Sequence, residues 1–449
     1  MVFGLVPATV WAETTNGHTH YLCGDSTCNG SGHENETYKT TFEKEIKQEG
    51  NTLKIGGESW APTKGSNDTF YILPTGTYYL GSDISPEYTI KIENNVTLCL
   101  NGHKITAADG MDAIYMTGGS FTLTDCKGVG TITHASSKTG RGVYVSSGTF
   151  NMYGGSITGN SAATYGGGVY DNVAYVTLYG GSITGNTAGT QGGGIYNAGK
   201  ADDSVYDTRD KKITLYPTRG SRITVTGNTV NGAANNLATT QCIVLDREYG
   251  TSTTLLSTGS KIGVTVLEPA NGKDVITINS KSNHYNTGAM VNDIPRFTLD
   301  DDNDGQMELA ANSGGATYIH LTIYHKHTLC NLDSASHDIS VAGHSGECGG
   351  EIDFKEWTDY AAQQDYGSAT FASGGGYVRA TNWLPRTGNW YLSKDVTLAE
   401  TWEANGSDKK LNLCFNGHTV TSANSNTNNS LLRVTALAKV NLTDCAATP

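Results

Sequence analysis

Histidines and cysteines are concentrated in two short stretches of this sequence, and both residue types are ligands for zinc. The first stretch supplies five of them within sixteen positions: His18, His20, Cys23, Cys28 and His33. The second begins with the same His-x-His-x-x-Cys pattern and then changes spacing: His325, His327, Cys330, His344 and Cys348. Zinc takes four imidazole or thiolate ligands tetrahedrally, and such a cross-link stabilises a small polar segment. Each stretch therefore predicts a structural zinc site.

Two other interpretations of these stretches stay open from the sequence. A pair of disulfides, Cys23–Cys28 and Cys330–Cys348, would suit an exported protein. Reduced thiols would suit an anaerobic habitat. We favour zinc because both ligand types recur in the second stretch although the spacing differs, and a metal site tolerates such a change.

A further group of cysteines recurs at close to one repeat length. Cys99 and Cys126 are 27 residues apart, and their counterparts Cys414 and Cys445 are 31 apart. Strands on adjacent turns of a stacked fold lie about 4.8 Å apart, which a disulfide can bridge. The spacing favours turn-to-turn disulfides, with unbridged neighbouring thiols as the alternative, and Cys242 has no evident partner.

The elements that must position these residues follow from a 26-residue repeat. The phrase at 142–144 (GVY) recurs at 168–170 and, as GIY, at 194–196, and the phrase GGSITGN at 154–160 recurs at 180–186. Apolar and polar residues alternate within each copy, which indicates short strands, and glycine- and asparagine-containing bends separate them. A fixed period of this size marks a repeat architecture, so we predict three short strands per turn of a parallel β-solenoid.

The period also predicts which side chains stack from turn to turn. The interior columns are Val143 with Val169 and Ile195, Phe150 with Val176, Met152 with Leu178, and Ile157 with Ile183. Asn160 above Asn186 predicts an asparagine ladder along a bend. The outward columns are Tyr144, Tyr170 and Tyr196, and Tyr153 with Tyr179. Such tyrosines stabilise a sheet by cross-strand contact, and they are also candidates for binding sugar rings.

A longer duplication divides the chain into modules. The segments at 73–80, 98–103 and 123–126 recur at 384–392, 413–418 and 442–445. We expect a signal-peptide remnant at 1–12, a Cys/His lead-in at 13–60, a parallel β-helix at 61–245, a β cap or small β domain at 246–324, a second Cys/His lead-in at 325–380, and the start of a second, truncated module at 381–449.

Composition limits the partners of this 449-residue chain. Its formal net charge of −13, with no basic tract, argues against binding to nucleic acid or anionic lipid. No segment is long and apolar enough to span a bilayer. The acidic run at 300–305 predicts a turn between strands, because Ala311 stands where a calcium loop needs glutamate.

The repeat phrases GGSITGN and GGGVY resemble those of right-handed parallel β-helix surface proteins of gut bacteria, and more loosely the repeats of polymorphic outer-membrane adhesins. The resemblance covers most of 13–200 and 325–449. It implies an all-β fold, a right-handed parallel β-helix (solenoid) with small Cys/His-containing lead-in segments. It also implies a secreted or wall-associated, adhesin-like protein.

We therefore expect a stiff rod at the cell surface that binds a host surface or glycan, monomeric as part of a longer tandem array. The alternative is a polysaccharide-degrading lyase or hydrolase on the same fold. Catalysis of that kind needs clustered carboxylates, and Asp171 is the only acid in turns 140–199. The loop at 200–212, with Asp202, Asp203 and Asp207, is the one candidate ligand or catalytic surface rich in carboxylates.

Overall fold

The computed structural model shows an all-β protein with long parallel sheets. It describes residues 18–22, 39–172, 174–199, 213–217, 221–246, 256–267, 269, 273–278, 287–300, 307–311, 318–328, 351–356, 388–392, 395–398, 402–405, 410–415, 418–422, 431–435 and 438–443. The chain divides into two units, Met1–Asp301 with Leu309–Leu321, and Asp302–Glu308 with Thr322–Pro449.

Three parallel sheets make up most of the first unit, and successive turns of the chain add one strand to each. Sheet 1 contains, in spatial order, Lys44–Glu49, Gly76–Leu80, Val96–Cys99, Ser120–Thr124, Thr149–Met152, Tyr175–Leu178, Ile213–Leu215, Ile243–Leu245 and Asp274–Ile278. Sheet 2 contains Thr69–Leu73, Ile90–Ile92, Ile114–Met116, Val143–Val145, Val169–Asp171, Ile195–Asn197, Leu237–Thr239 and Lys261–Val266. Sheet 3 contains Lys104–Ala107, Thr131–His134, Ser156–Thr158, Gly181–Thr184 and Ile223–Thr226, and it also reaches Lys261–Val266.

Shorter strands flank these sheets. Thr52–Ile55 and Glu58–Ser59 extend sheet 1 antiparallel at its first edge, Thr63–Lys64 does the same for sheet 2, and Phe297–Leu299 pairs with Lys261–Val266. A small fourth sheet contains Ser161–Ala162, Thr187–Ala188, Thr229–Val230 and Ala233–Ala234. The 3-10 helix Thr287–Arg296 precedes Phe297–Leu299 in the chain, and the strand Met307–Ala311 follows it.

The predicted interior columns are confirmed by the strand register. Val143 pairs with Val169, which pairs with Ile195, and all three side chains are fully buried. Phe150 lies beside Val176 in the same way. No single turn could bury these side chains alone, so stacking of turns creates the core, an arrangement compatible with a solenoid.

The predicted asparagine ladder is confirmed. The Nδ2 of Asn160 donates to Oδ1 of Asn186 over 2.9 Å, and Nδ2 of Asn186 donates to Oδ1 of Asn228 over 2.9 Å. Each asparagine follows a glycine with positive φ, such as Gly185 at 62°. Glycine adopts this left-handed conformation without steric cost, which explains the recurring Gly-Asn pair.

The ladder is longer than the repeat predicts. Asn228 donates to Asn236, whose Nδ2 donates to the carboxylate of Asp300 over 2.7 Å. At the other end, Nδ1 of His134 lies 2.8 Å from Oδ1 of Asn160. A histidine and an aspartate therefore end the amide ladder, and the acidic turn at Asp300 accepts hydrogen bonds from the protein itself.

The sheets continue past residue 245, where the sequence repeat is lost. Ile243–Leu245 pairs in parallel with Asp274–Ile278, and Ile223–Thr226 pairs in parallel with Lys261–Val266. The strands remain in register here because the differences in length between successive turns fall in the loops that connect them. The segment 246–324, expected as a β cap or small β domain, thus contributes strands to these sheets.

The second unit repeats this strand arrangement. Glu351–Glu356, Gly388–Tyr391, Lys410–Cys414 and Lys439–Thr443 pair in parallel, and Tyr318–Thr328 pairs antiparallel with the first of them. Val396–Leu398 pairs with Val420–Ser422, and Trp402–Asn405 with Leu432–Thr435. Its core contains Leu392, Val396, Leu411 and Leu413. In the described part of the chain, no helix is long and apolar enough to cross a membrane.

Candidate metal centre and tyrosine columns

Four side chains from distant parts of the sequence meet at the first turns of sheet 1. His18 and His20 lie on the strand His18–Tyr21, where residues two apart share a face. This strand forms an antiparallel pair with Lys39–Phe42. Cys99 ends one strand of sheet 1, and Cys126 follows the next strand. One ligand atom from each of the four residues lies within 4.8 Å of all the others.

The two cysteines are free thiols in this structure, not the disulfide that the spacing favoured. Their Sγ atoms are 3.7 Å apart, whereas a disulfide needs about 2.05 Å. The register explains the separation. Cys99 pairs with Thr124, so Cys126 lies two residues beyond the paired position. Nε2 of His18 lies 3.2 Å from Sγ of Cys126 and 3.8 Å from Sγ of Cys99.

Asp125 fixes the loop that carries Cys126. Its buried carboxylate accepts the backbone N–H of Gly102 over 2.7 Å and that of Gly130 over 2.6 Å. Buried carboxylates are tolerated when such hydrogen bonds satisfy them. The bond to Gly102 ties this loop to the neighbouring turn, and the bond to Gly130 closes the loop on itself around Cys126.

Asn101 forms a hydrogen bond to the sulfur of Cys99. Its backbone N–H donates to Sγ of Cys99 over 3.3 Å, and its side-chain amide donates to the carbonyl of Leu80 over 2.9 Å. Asn101 has a φ of 49°, in the left-handed region that asparagine tolerates. An N–H donated to a sulfur stabilises the thiolate, as second-shell groups do around metal-binding cysteines.

The imidazoles are held by aromatic packing. The ring of His18 stacks on Tyr79 at 5.2 Å, and the ring of His20 stacks on the buried Phe42 at 4.5 Å. The two histidine rings are 5.0 Å apart in an edge-on arrangement. These contacts orient both rings before any ligand binds.

The pKa values of the two thiols are shifted in opposite directions. The hydrogen bond from the Cys99 thiol lowers the pKa of Cys126, and His18 acts in the same direction while burial opposes it. Burial raises the pKa of Cys99 well above its ordinary value. Zinc binds cysteine as the thiolate, so a bound zinc ion would displace the thiol protons of the pair.

The structure thus joins two predicted zinc ligands, His18 and His20, to two cysteines that we assigned to a disulfide. The signal that could have revealed this is the joint recurrence of the His-x-His pair with both cysteines in the second module. His325 and His327 lie in the strand Tyr318–Thr328, and Cys414 is buried at the end of Lys410–Cys414. The other candidates lie outside the described residues: Cys23, Cys28, His33, Cys330, His344, Cys348, Cys445, Asp202, Asp203 and Asp207.

The predicted outer column of tyrosines is confirmed in sheet 2 and is longer than expected. The rings of Tyr144 and Tyr170 stack at 5.0 Å, and Tyr115 stacks on Tyr144 at 5.0 Å. The ring centres of Tyr170 and Tyr196 are 5.8 Å apart, and the ring of Tyr165 stacks on that of Tyr196 with 4.6 Å between the ring centres. These rings cover one another's faces, so the stacking leaves mainly their edges and hydroxyl groups uncovered.

The guanidinium of Arg141 lies over two rings of this column. Its guanidinium carbon lies 5.3 Å from the ring centre of Tyr144 and 5.0 Å from that of Tyr170. Nε donates to the carbonyl of Tyr165 over 3.0 Å, and NH1 lies 3.5 Å from the carboxylate of Asp112. The cation–π contacts stabilise the column, and the ion pair balances the positive charge.

The second predicted column, Tyr153 with Tyr179, is the most closely stacked aromatic pair. The ring centres are 4.0 Å apart at an angle of 3°, and Tyr216 extends the column at 5.2 Å from Tyr179. Tyr153 is almost fully buried. This column has a packing role in sheet 1.

Asp171, the one acid of turns 140–199, points into the interior. Its carboxylate accepts the N–H of Ala174 over 2.8 Å and the side-chain amide of Asn197 over 2.5 Å. Burial raises its pKa to about 7, against the effect of these two hydrogen bonds. The group is enclosed by the protein, so an external polymer cannot reach it.

The chain was compared with protein-family models, with curated proteins and with solved structures. No family model, curated protein or solved structure matches it.

Proposed function

We propose that this chain is a secreted or cell-surface, adhesin-like protein. In this proposal it is a stiff right-handed parallel β-helix that presents its loops and its outer tyrosine column to a host surface or glycan. It acts as a monomer. The observation that carries the proposal is the column Tyr144, Tyr170 and Tyr196 on the outer face of sheet 2, mounted on a continuous buried core.

Stiffness is supported by the contacts that run from turn to turn. The amide ladder through Asn160, Asn186 and Asn228 is buried along its length. Each asparagine also bonds backbone carbonyls of its own and the preceding turn, as Asn186 does with Thr184 and Ile157. Buried networks in which each member is bonded make a fold rigid.

The nature of the ligand follows from what the column exposes. Tyr144, Tyr170 and Tyr196 are half-buried and stacked, so a ligand would contact phenol hydroxyls and ring edges, which form neutral hydrogen bonds and apolar contacts. Arg141 is already paired with Asp112, and the whole chain has a net charge of −13. Both features favour an uncharged glycan over a polyanionic one.

A binding role is also supported by the position of Asp171. Glycoside hydrolysis uses two carboxyl groups that flank the scissile bond. The carboxyl of Asp171 is instead buried and bonded to Asn197. Binding through hydroxyl groups needs no such catalytic pair.

The test is a glycan array probed with the wild-type chain and a variant with Tyr144, Tyr170 and Tyr196 all changed to Phe. The variant keeps the stacked rings and removes the three hydroxyls. A hydrogen bond contributes about 1 kcal/mol, so we expect binding to weaken by at least about fivefold per engaged hydroxyl. Tyr175→Phe, on an exposed tyrosine outside the column, is the matched control. Equal binding by the triple variant and the control would refute a role for the column.

The enzymatic alternative is tested on the same preparation. Polyuronates and neutral polysaccharides are incubated with the protein, with and without calcium, and reducing and unsaturated ends are measured. We expect no product. Product that disappears in an Asp202→Ala, Asp203→Ala or Asp207→Ala variant would overturn the adhesin proposal.

A further inference from the structure

We propose that His18, His20, Cys99 and Cys126 form a zinc centre that fastens the N-terminal hairpin to the first turns of sheet 1. This site is independent of the proposed glycan binding. It joins the strand His18–Tyr21, which among the described residues pairs with Lys39–Phe42, to one strand of sheet 1 and to the loop that follows the next strand.

The separations between the ligand atoms fit one tetrahedral ion. With Zn–S of about 2.3 Å and Zn–N of about 2.05 Å, a tetrahedron places two sulfurs about 3.8 Å apart and a sulfur and a nitrogen about 3.6 Å apart. The Sγ atoms of Cys99 and Cys126 are 3.7 Å apart. Nε2 of His18 is 3.8 Å and 3.2 Å from these sulfurs. His20 lies in the same group, within 4.8 Å.

The donor set selects zinc by its chemistry. Two thiolates and two imidazoles are soft or borderline ligands, and a tetrahedral S₂N₂ site is typical of structural zinc. Calcium and magnesium prefer oxygen ligands, and the group contains no carboxylate. Four protein ligands leave no open position, so the role of the centre is structural rather than catalytic.

The site is also prepared by its surroundings. Asp125 ties the loop around Cys126, and the N–H of Asn101 points at Sγ of Cys99. The rings of His18 and His20 are stacked on aromatic neighbours. Ligands that are already oriented lose less conformational freedom when a metal binds.

The cysteine pair recurs in the second module with the same register. Cys414 pairs with Thr443 in parallel, as Cys99 pairs with Thr124. Cys445 follows Thr443 by two residues in the sequence and itself lies outside the described residues.

The histidine pair recurs in the same way. His325 pairs antiparallel with Phe354, as His18 pairs with Phe42. His327 follows His325 by two residues, as in the first module. The inference itself concerns the centre formed by His18, His20, Cys99 and Cys126.

The test measures metal content of the full chain by mass spectrometry after gel filtration. We expect Cys126→Ser and His18→Gln each to lose about one zinc ion per chain relative to the wild type. The matched control, Cys242→Ser, changes a cysteine outside the group and should keep the wild-type zinc content. Each variant is first shown to be folded by its far-ultraviolet circular dichroism.

Loss of about one zinc ion in both Cys126→Ser and His18→Gln supports the centre. Unchanged metal content in these two variants overturns it.

A second measurement does not depend on variants that fold. Replacing zinc by cobalt in the wild type should give the visible bands of tetrahedral cobalt and a thiolate charge-transfer band in the near ultraviolet. An octahedral spectrum without the charge-transfer band, or a Cys99–Cys126 disulfide found by peptide mapping of metal-saturated protein, would equally overturn the proposal.

Discussion

Asp171 and Asn197 are neighbours in one interior column of sheet 2, and the Asn197 amide donates a 2.5 Å hydrogen bond to the Asp171 carboxylate. The turn before carries Val145 at this position. A titratable group therefore stands where the column otherwise holds an apolar or an uncharged polar side chain.

This relationship predicts a pH-dependent stability. The pKa of Asp171 is raised from 3.8 to about 7 by burial. The folded state thus holds the proton more tightly than the unfolded state, and this stabilisation is full below about pH 4 and lost as the pH rises to about 7. About three pKa units correspond to a loss of up to about 4 kcal/mol.

Asp171→Asn should remove that part of the pH dependence, because the amide cannot ionise. Denaturant unfolding of both proteins should be measured at several pH values between 4 and 8. As the pH rises, the free energy of unfolding of the variant should increase relative to that of the wild type. Asp109→Asn is the control, since the pKa of this exposed carboxyl is lowered by the Thr139 N–H and Lys138, so its ionisation favours the folded state. Parallel profiles for wild type and Asp171→Asn would contradict the prediction.

Asn186→Ala should be one of the most destabilising substitutions in the ladder. It removes the acceptor for Asn160 and the donor to Asn228 and leaves the carbonyl of Ile157 without this bond. A buried polar group left unsatisfied costs about 1 to 3 kcal/mol, so we expect a loss of about 3 kcal/mol or more in free energy of unfolding.

The control for the ladder is Asn151→Ala, which removes one hydrogen bond, to the hydroxyl of Ser120, at a half-buried position. Asn151→Ala should lower the free energy of unfolding by less than about 1 kcal/mol. Similar losses for both variants in denaturant unfolding would show that the ladder has no special role.

Two glycines should differ in their cost of replacement by alanine. At Gly185, with φ of 62°, the nearest atom to an added Cβ is Oγ1 of Thr158 at 3.4 Å, so the cost is backbone strain of about 1 kcal/mol. At Gly168 the Cβ would lie 2.6 Å from the carbonyl oxygen of Gly194 and 2.7 Å from Cγ2 of Ile183. Gly168→Ala must therefore displace a neighbouring turn.

We expect Gly168→Ala to lower the midpoint of thermal unfolding clearly more than Gly185→Ala. The reverse order would mean that the turns are not packed as closely as the structure shows.

Removal of zinc should act locally. If the metal joins His18 and His20 to sheet 1, a chelator should speed hydrogen exchange in His18–Tyr21 and Lys39–Phe42. The buried strands Val143–Val145 and Val169–Asp171 should keep their protection, because their contacts do not involve the centre. Exchange that is unchanged in the hairpin, or raised equally in both regions, would argue against a local fastening role.

The sequence alone determined the periodic part of this protein. A 26-residue period specifies which residues are neighbours on adjacent turns. Adding 26 to a residue number gives its neighbour, as it does for Val143 and Val169, for Asn160 and Asn186, and for Tyr144 and Tyr170. The physical reason is that strands on adjacent turns bury their apolar side chains together only when the same position of each repeat lies side by side.

Only the tertiary structure decided the features outside that period. His18 meets Cys99 and Cys126 across 81 and 108 residues of chain, and the ladder ends at His134 and Asp300. No local spacing encodes these contacts, because they depend on how the hairpin and the later strands fold back onto the sheets. The first His/Cys stretch predicted His18 and His20 as zinc ligands, and only the shared recurrence of histidines and cysteines in the second module pointed to Cys99 and Cys126 as their partners.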